Sequence, residues 1–318
     1  MTLNLIFMGT PEFCLPTLES LINSEHQMKL VVTNPDKPKG RGKKMSPPPV
    51  KEFCLKRQIK VFQPDDLRDE MVYNRLKDLK PDLMITMAYG KIIPGELLKL
   101  PSICCINVHA SLLPKYRGAA PIHWAVINGE KETGITIMLM DEGMDTGDIL
   151  AQKIVSIEED DTTGDVHDKL AREAPDLLIE TISKLKQGKI APLKQDDTKA
   201  CLAPKLEDEH IKIDWNKEDA ISVYNKIRGL NPWPGAYTFW KGKRIKLWSS
   251  EIYDRTRVIS EPGELVKRVD GGPVVQCRIG LIKLTSLQLE GKKKISGEDF
   301  LKGYSLEEGD ILRDISGV

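Results

Sequence analysis

The feature that most narrows the fold is a series of short, almost unbroken apolar runs in the first half of the chain, such as LMITM at 83–87 and ITIMLM at 135–140. Runs without polar alternation suit strands that are covered on both faces. The expected strands are Leu3–Met8, Met28–Thr33, Lys60–Phe62, Asp82–Met87, Cys104–Val108 and Gly134–Met140. Helical patterns fall between them, over Glu12–Asn23, Asp66–Leu79 and Ala120–Asn128, and a long helix is expected from about Asp165 to Gln187. Alternating strands and helices predict an α/β fold, a doubly wound, mainly parallel, Rossmann-like domain.

The texture changes near Gly188. GKIAPLKQDDTKACLAPKL is polar and punctuated by proline, as in an interdomain linker. This divides the chain into a first domain (1–188), a linker (189–206) and a second domain (207–318). The second domain opens with a helix over about Lys217–Arg228 and the turn-rich NPWPG. RIKLWS, GELVKRV, PVVQCRI and LIKLTSLQL then alternate apolar with polar, which predicts a smaller antiparallel β-barrel of OB-like type.

A length of 318 residues accommodates two such domains. The 47 basic and 47 acidic residues cancel, so only local clusters can argue for a nucleic-acid partner. The six cysteines form no CxxC pair, which points to buried free thiols in a reducing compartment. The opening MTLNLIFMGTP carries too short an apolar run for a signal peptide, and no stretch approaches a membrane span. The expected location is cytoplasmic.

The chemistry concentrates where CINVH runs into ASLLPKYRG. If CINVH is a strand, Asn107 and His109 share one face near its carboxyl end, where ligands of open α/β sheets bind. A second strand ends in DEGMDTGD, a loop able to bring Asp145 to the same rim. An amide, an imidazole and a carboxylate together suit acyl transfer: Asn107 can donate to a developing oxyanion, His109 can donate or move a proton, and Asp145 can orient the ring. The residues alone equally fit a satisfied polar pair at a strand end, a turn cap at Asp145, or a metal held by the three aspartates. Nucleophile chemistry fits less well, because no GxSxG is present. GTPEF lacks the remaining glycines of a nucleotide loop.

Residues 107–150, NVHASLLPKYRGAAPIHWAVINGEKETGITIMLMDEGMDTGDIL, closely resemble the signature region of the 10-formyltetrahydrofolate-dependent formyltransferases. The resemblance implies that Asn107, His109 and Asp145 are catalytic. It also implies that Ser111, Leu112, Leu113 and Pro114 contact the folate, and that the loop from Asp141 to Asp145 helps form the pterin pocket. FMGTPEF, NPDKPKGRGKK, VFQP, MAYGKIIP, IDWN, NPWPG and GKKK extend the likeness to the branch of that family whose acceptor is initiator methionyl-tRNA. The implied co-substrate is 10-formyltetrahydrofolate, with no metal, membrane or obligate protein partner.

Two basic regions could meet RNA. Lys37, Lys39, Arg41, Lys43 and Lys44 crowd a Gly- and Pro-rich loop with little acid among them. Such a run also fits a plain solvated loop, but the resemblance makes it the insert that contacts the tRNA acceptor end. Arg41 is the leading residue, since a guanidinium pairs with phosphate and stacks on bases. In the second domain Lys243 and Arg244, with Lys241 and Lys246, lie on one strand-like stretch, and Lys292–Lys294 follow later. Trp233 of NPWPG is expected in the core, with stacking on a base as the alternative reading. An acceptor other than tRNA, or an idle RNA-binding module, remains compatible with the composition.

Overall fold

The computed structural model describes residues 2–39 and 44–313, and they divide into two compact units. Unit 1 comprises Met1–Pro121, Glu132–Ser156 and His167–Pro204; unit 2 comprises Ile122–Lys131, Ile157–Val166 and Lys205–Val318.

Unit 1 is built on strands β1 (Asn4–Gly9), β2 (Gln27–Val32), β5 (Val61–Phe62), β6 (Leu83–Met87), β7 (Cys104–His109), β8 (Glu132–Leu139) and β9 (Ile149–Ser156), with β3 (Lys37–Lys39) and β4 (Lys44–Ser46) forming a separate ribbon. The order is β5-β2-β1-β6-β7-β8-β9. The first five strands are parallel, while β8 and β9 run antiparallel to their neighbours. Chain order reverses between β1 and β6, so this sheet has a switch point there, and β7 is the next strand after β6.

The apolar runs explain the sheet. Leu5, Ile6, Phe7 and Met8 are all fully buried, so both faces of β1 are covered. Burying each such side chain contributes about 1.5–3 kcal/mol. On one face Ile6, Met8, Leu30, Val32 and Met84 pack with Val72 and Leu76 of α3 (Glu70–Asp78) and Leu97 of α4 (Gly95–Leu98). Asp69 caps α3 by accepting from the Met71 amide. A 24-residue helix, α6 (Thr163–Lys186), follows the sheet.

Residues 189–204, expected as a linker, group with unit 1. Leu193 exchanges both backbone hydrogen bonds with Ile149 on β9, and Arg117 pairs with Cys201 and Ala203. The segment is therefore a strap fastened along the unit. Its polar texture reflects side chains that remain largely exposed, only Gln195 and Ala203 being buried, while the backbone makes the attachment.

Unit 2 carries β10 (Ala236–Trp240), β11 (Lys243–Asp254), β12 (Leu265–Val269), β13 (Gly272–Gln276), β14 (Leu281–Leu289) and β15 (Ile295–Ser296), all antiparallel to their partners. The order is β10-β11-β14-β13-β12, with β15 on β14. Alternation is clear in β11, where Ile245 and Leu247 are fully buried beside Leu284, Leu287 and Phe300. Helix α8 (Ala220–Gly229), capped by Asp219, adds Val223 and Ile227 to that core.

The antiparallel sheet expected here is present, and among the described residues its outer strands β10 and β12 are not paired with one another, so no closed barrel is found. Their outer edges are instead covered by single bridges, Lys212 to Tyr237 and Ile311 to Glu264. No helix among the described residues is long and apolar enough to cross a membrane.

Candidate active site

The β7 strand brings Asn107 and His109 to the carboxyl rim of the first sheet. Residues two apart on a strand share a face, and here that face meets the loop between β8 and β9. Asp145 on that loop places Oδ2 3.6 Å from His109 Nδ1 and Oδ1 3.5 Å from Asn107 Nδ2. The three side chains expected at one rim are brought together there. His109 is buried, with 6% of its side chain exposed, while Asp145 keeps 17%.

Each group is tied from behind. Thr86 on β6 donates to Asn107 Oδ1 at 2.8 Å, so the Asn107 amide nitrogen is left as the donor toward the rim. His109 Nε2 lies 3.0 Å from the carbonyl oxygen of Tyr116. The amide of Gly118 donates to Asp145 Oδ2 at 2.8 Å. Gly118 has φ +124°, and a Cβ there would lie 2.8 Å from the Ala203 carbonyl oxygen, so both conformation and space demand glycine.

The segment Ser111–Pro114 lies directly after His109. Ser111 is fully buried and donates to the Lys115 carbonyl at 2.7 Å, while Thr136 accepts from the Leu113 amide at 3.1 Å and donates to the Ser111 carbonyl at 2.6 Å. Gln152 adds a bond to the Leu113 carbonyl. Leu113 packs on Met138 and Ile149, and Leu112 is half-buried. The Ser111 hydroxyl is thus committed within the loop. Asp141 behaves likewise: it accepts from Thr146 Oγ1 and the Gly143 amide, shaping the loop that ends in Asp145.

The thiols at the amino end of β7 are not poised as nucleophiles. Burial pushes Cys105 up to about 12 and Cys104 to about 11, which keeps both protonated. Tyr89, buried after β6, is raised to about 12 for the same reason.

Two residues that matter here had no visible signal. Gln195 and Arg117 are 7% and 8% exposed and hydrogen-bonded to each other behind Asp145. Gln195 sits in a segment whose composition reads as linker. A buried glutamine cannot be told from a solvated one by sequence pattern.

The basic residues are placed as follows. Lys37 and Lys39 lie on β3 and Lys44 on β4, with Lys37 and Lys44 exposed. The backbones of β3 and β4 pair as an antiparallel ribbon, where a flexible loop without a helix period was expected. Arg41 and Lys43 lie outside the described residues. At its root, Asp36 is held below its ordinary value by hydrogen bonds from Lys51 and Gln63.

On β11 the strand alternation separates two residues expected to act together. Lys243 shares the parity of buried Ile245 and Leu247 but is exposed at the strand end, whereas Arg244 has the opposite parity. Arg244 stacks over Tyr237 at 4.0 Å and lies 3.9 Å from Asp208, which also accepts from the Tyr237 hydroxyl. Lys246 and Lys294 both lie 5.4 Å from the Trp248 ring. Trp233, expected in the core, is 58% exposed, with its ring 4.4 Å from that of buried His123. The prolines on either side carry it on a turn that never enters the sheet.

A mainly parallel sheet with an amide, an imidazole and a carboxylate at its rim, followed by a separate antiparallel sheet, defines the class. The family described as "Formyl transferase" matches residues 3–182, and "Formyl transferase, C-terminal domain" matches residues 205–305. The chain belongs to this family, in its methionyl-tRNA formyltransferase branch. Methionyl-tRNA formyltransferase of Natranaerobius thermophilus is 47% identical over 306 residues, covering 96% of this chain and 98% of its own. That of Caldanaerobacter subterraneus is 47% identical over 98% of this chain and 100% of its own.

Among solved structures, HypX from Aquifex aeolicus in complex with tetrahydrofolic acid is similar with TM-score 0.62 at 18% identity, over 98% of this chain and 51% of that one. An N-formyltransferase from Helicobacter canadensis in complex with folinic acid and dTDP-3-aminofucose gives TM-score 0.62 at 19% identity, over 89% and 99%. At such identities the likeness concerns fold alone.

Proposed function

We propose that this chain transfers the formyl group of 10-formyltetrahydrofolate to the free α-amino group of initiator methionyl-tRNA, giving N-formylmethionyl-tRNA for translation initiation. The observation that carries the reading is the convergence of Asn107, His109 and Asp145 within 3.6 Å at one sheet rim. Near full-length identity to methionyl-tRNA formyltransferases supports the choice of acceptor.

The rim fits a formyl donor on its own geometry. Among the described residues Asn107 Nδ2 reaches only Asp145, at the long distance of 3.5 Å, so donor capacity is left for an incoming oxygen. Exposed Ile92 and Met144 offer apolar surface on two neighbouring loops, which approach each other at Gly95 and Glu142. In this reading Ser111–Pro114 and the Asp141–Asp145 loop wall the folate site, chiefly through backbone and apolar atoms.

A bound folate supplies the formyl carbon. The residues of the chain then act on what approaches it. Asn107 Nδ2 donates to the formyl oxygen as negative charge develops there. The Tyr116 carbonyl can only accept, so His109 carries a proton on Nε2, and Nδ1 is the nitrogen left to work beside Asp145. Asp145, 3.6 Å from that nitrogen, orients the ring. Asp145 also assists removal of the proton from the attacking amine, directly or through water, and that proton passes to the donor nitrogen as its bond to the formyl carbon breaks.

We assign residues 1–188 to folate binding and catalysis and 207–318 to holding tRNA. Lys37, Lys39, Arg41, Lys43 and Lys44 contact the acceptor end in this reading, and Lys243 and Arg244 meet the RNA backbone. Three register irregularities along β11 and β14 bend the second sheet, which supports reading it as an OB-like module. The unpaired cysteines suit the cytoplasm, where charged tRNA is found.

The test is a formylation assay with 10-formyltetrahydrofolate and three acceptors: methionyl initiator tRNA, methionyl elongator tRNA and free methionine. Strong preference for the initiator is expected. Equal use of free methionine would overturn the tRNA assignment.

A further inference from the structure

We propose that Gln195 and Arg117 are positioning residues for Asp145, making the strap around them a working part of the active site. The proposal rests on the formyl-transfer reading and adds residues which that reading does not use.

Asp145 adopts φ +55°, a left-handed backbone that a non-glycine residue holds only when its surroundings impose it. Gln195 imposes it. Its Nε2 donates to the Asp145 carbonyl at 2.9 Å and to the Gly147 carbonyl at 2.7 Å, gripping the main chain on both sides of Thr146. A side-chain amide has two such hydrogens, and both are used. The orientation of that amide is set by Arg117, whose Nε and Nη2 donate to Gln195 Oε1 at 3.1 and 2.8 Å. With the oxygen facing the guanidinium, the nitrogen must face the two carbonyls.

Arg117 is itself fixed. Its Nη2 also donates to Asp197 at 2.8 Å, and its backbone donates to the Cys201 carbonyl and accepts from the Ala203 amide. The next residue, Gly118, donates to the Asp145 carboxylate at 2.8 Å. Gln195 thus holds the main chain of Asp145 and Gly118 holds its side chain, with Arg117 joining the two. Without the Gln195 donor, two carbonyls lose their partner and Asp145 is free to leave positive φ. Its carboxylate then swings from His109 Nδ1.

Gln195→Glu is the discriminating variant, because a carboxylate still pairs with Arg117 but cannot donate to the carbonyls. Its thermal midpoint is expected to fall by a few degrees, because two buried carbonyls lose their donor, while kcat falls by about tenfold to a hundredfold. KM for both substrates should change by no more than about twofold, as for an interaction made mainly in the transition state. In an Asp145→Ala background the same substitution should cost nothing further in kcat, since the two residues act as a unit.

Parent-rate turnover by Gln195→Glu, or an equal additional loss in the Asp145→Ala background, would overturn the proposal. If Gln195 variants fail to fold, Arg117→Lys keeps the charge toward Asp197, loses the fork on Gln195 and is expected to show the same split. Hydrogen exchange at the Gly118 amide gives an answer without substrate: exchange should accelerate in Gln195→Ala, and unchanged protection refutes the positioning role. An inactive parent with accelerated exchange in the variant would defeat the formyl-transfer reading and leave the positioning geometry standing.

Discussion

Tyr116 presents its carbonyl oxygen 3.0 Å from His109 Nε2, and does so from a left-handed backbone with φ +61°. The amide of the same residue donates to Cys201 Sγ at 3.2 Å. One residue thereby fixes the proton on the imidazole and is itself fixed by the strap. The chemistry at the rim depends on this backbone as much as on the three polar side chains.

Replacing Asn107, His109 or Asp145 by alanine is expected to lower kcat about a hundredfold or more each, because one oxyanion donor is worth about 2.7–4 kcal/mol. Folding should be less affected, since a hydrogen bond contributes only about 1 kcal/mol net to stability. Turnover numbers and thermal midpoints for the three variants check this. Near-parent turnover in a folded His109→Ala protein would remove the imidazole from the mechanism.

The thiols make a second prediction. Cys14 is pushed up to about 12, Cys54 to about 11, and Cys277 is also raised strongly, in each case by burial. Cys201 is exposed. A maleimide at neutral pH should therefore label Cys201 first, identified by peptide mass, with the buried thiols reacting only after unfolding. A label on Sγ puts a bulky group on the sulfur that accepts from the Tyr116 amide and displaces that contact, so kcat should fall in step with labelling. Fast labelling of Cys14 or Cys277 in the folded protein would contradict the burial described here.

Asp36 gives a pH dependence with a definite sign. Its folded-state value lies below the ordinary 3.8, chiefly because Lys51 and then Gln63 hydrogen-bond the carboxylate. Protons therefore bind the unfolded chain more readily, and the contribution is present above about pH 3.8 and lost as pH falls through the lower folded value. The group is open to solvent, so the effect on global stability is small. Asp36→Asn should exchange amides of the β3–β4 ribbon faster than the parent at pH 6, and the difference should disappear in strong acid. An equal difference at both pH values would rule out the ionised carboxylate as its source.

What could be read in advance follows from where burial leaves a periodic mark. The strands β1, β2, β6 and β7 are buried on both faces, so their sequences are nearly continuous in apolar residues. By contrast β9, ILAQKIVS, is half exposed at the sheet edge, and its mixed composition concealed it. Helix α2 (Pro49–Lys56) was not among the expected helices, although proline suits the first helical turn. Asn107 and His109 were legible because a strand spaces them onto one face. Gln195 was not, because its bonds join segments far apart in sequence, and no local pattern records such a bond.

The last prediction concerns RNA and separates the two basic regions. Each phosphate contact releases counterions, so tRNA affinity should fall steeply with salt, and each lost contact should reduce the logarithmic slope by about one. Lys243 is exposed and, among the described residues, has no carboxylate partner, whereas Arg244 is shared with Asp208 and Tyr237. Lys243→Ala should therefore flatten the salt slope, while Arg244→Ala should also disturb the Tyr237 contact and lower the thermal midpoint. Arg41→Ala should reduce kcat/KM for methionyl-tRNA and leave the folate KM unchanged. Arg41→Lys should restore only part of the loss, because lysine keeps the charge without the planar fork. Filter binding across a salt series, with initial rates for each variant, measures all of these. If Arg41→Ala keeps the parent rate and salt slope while Lys243→Ala does not, the acceptor is held by the second unit and Arg41 takes no part in binding it.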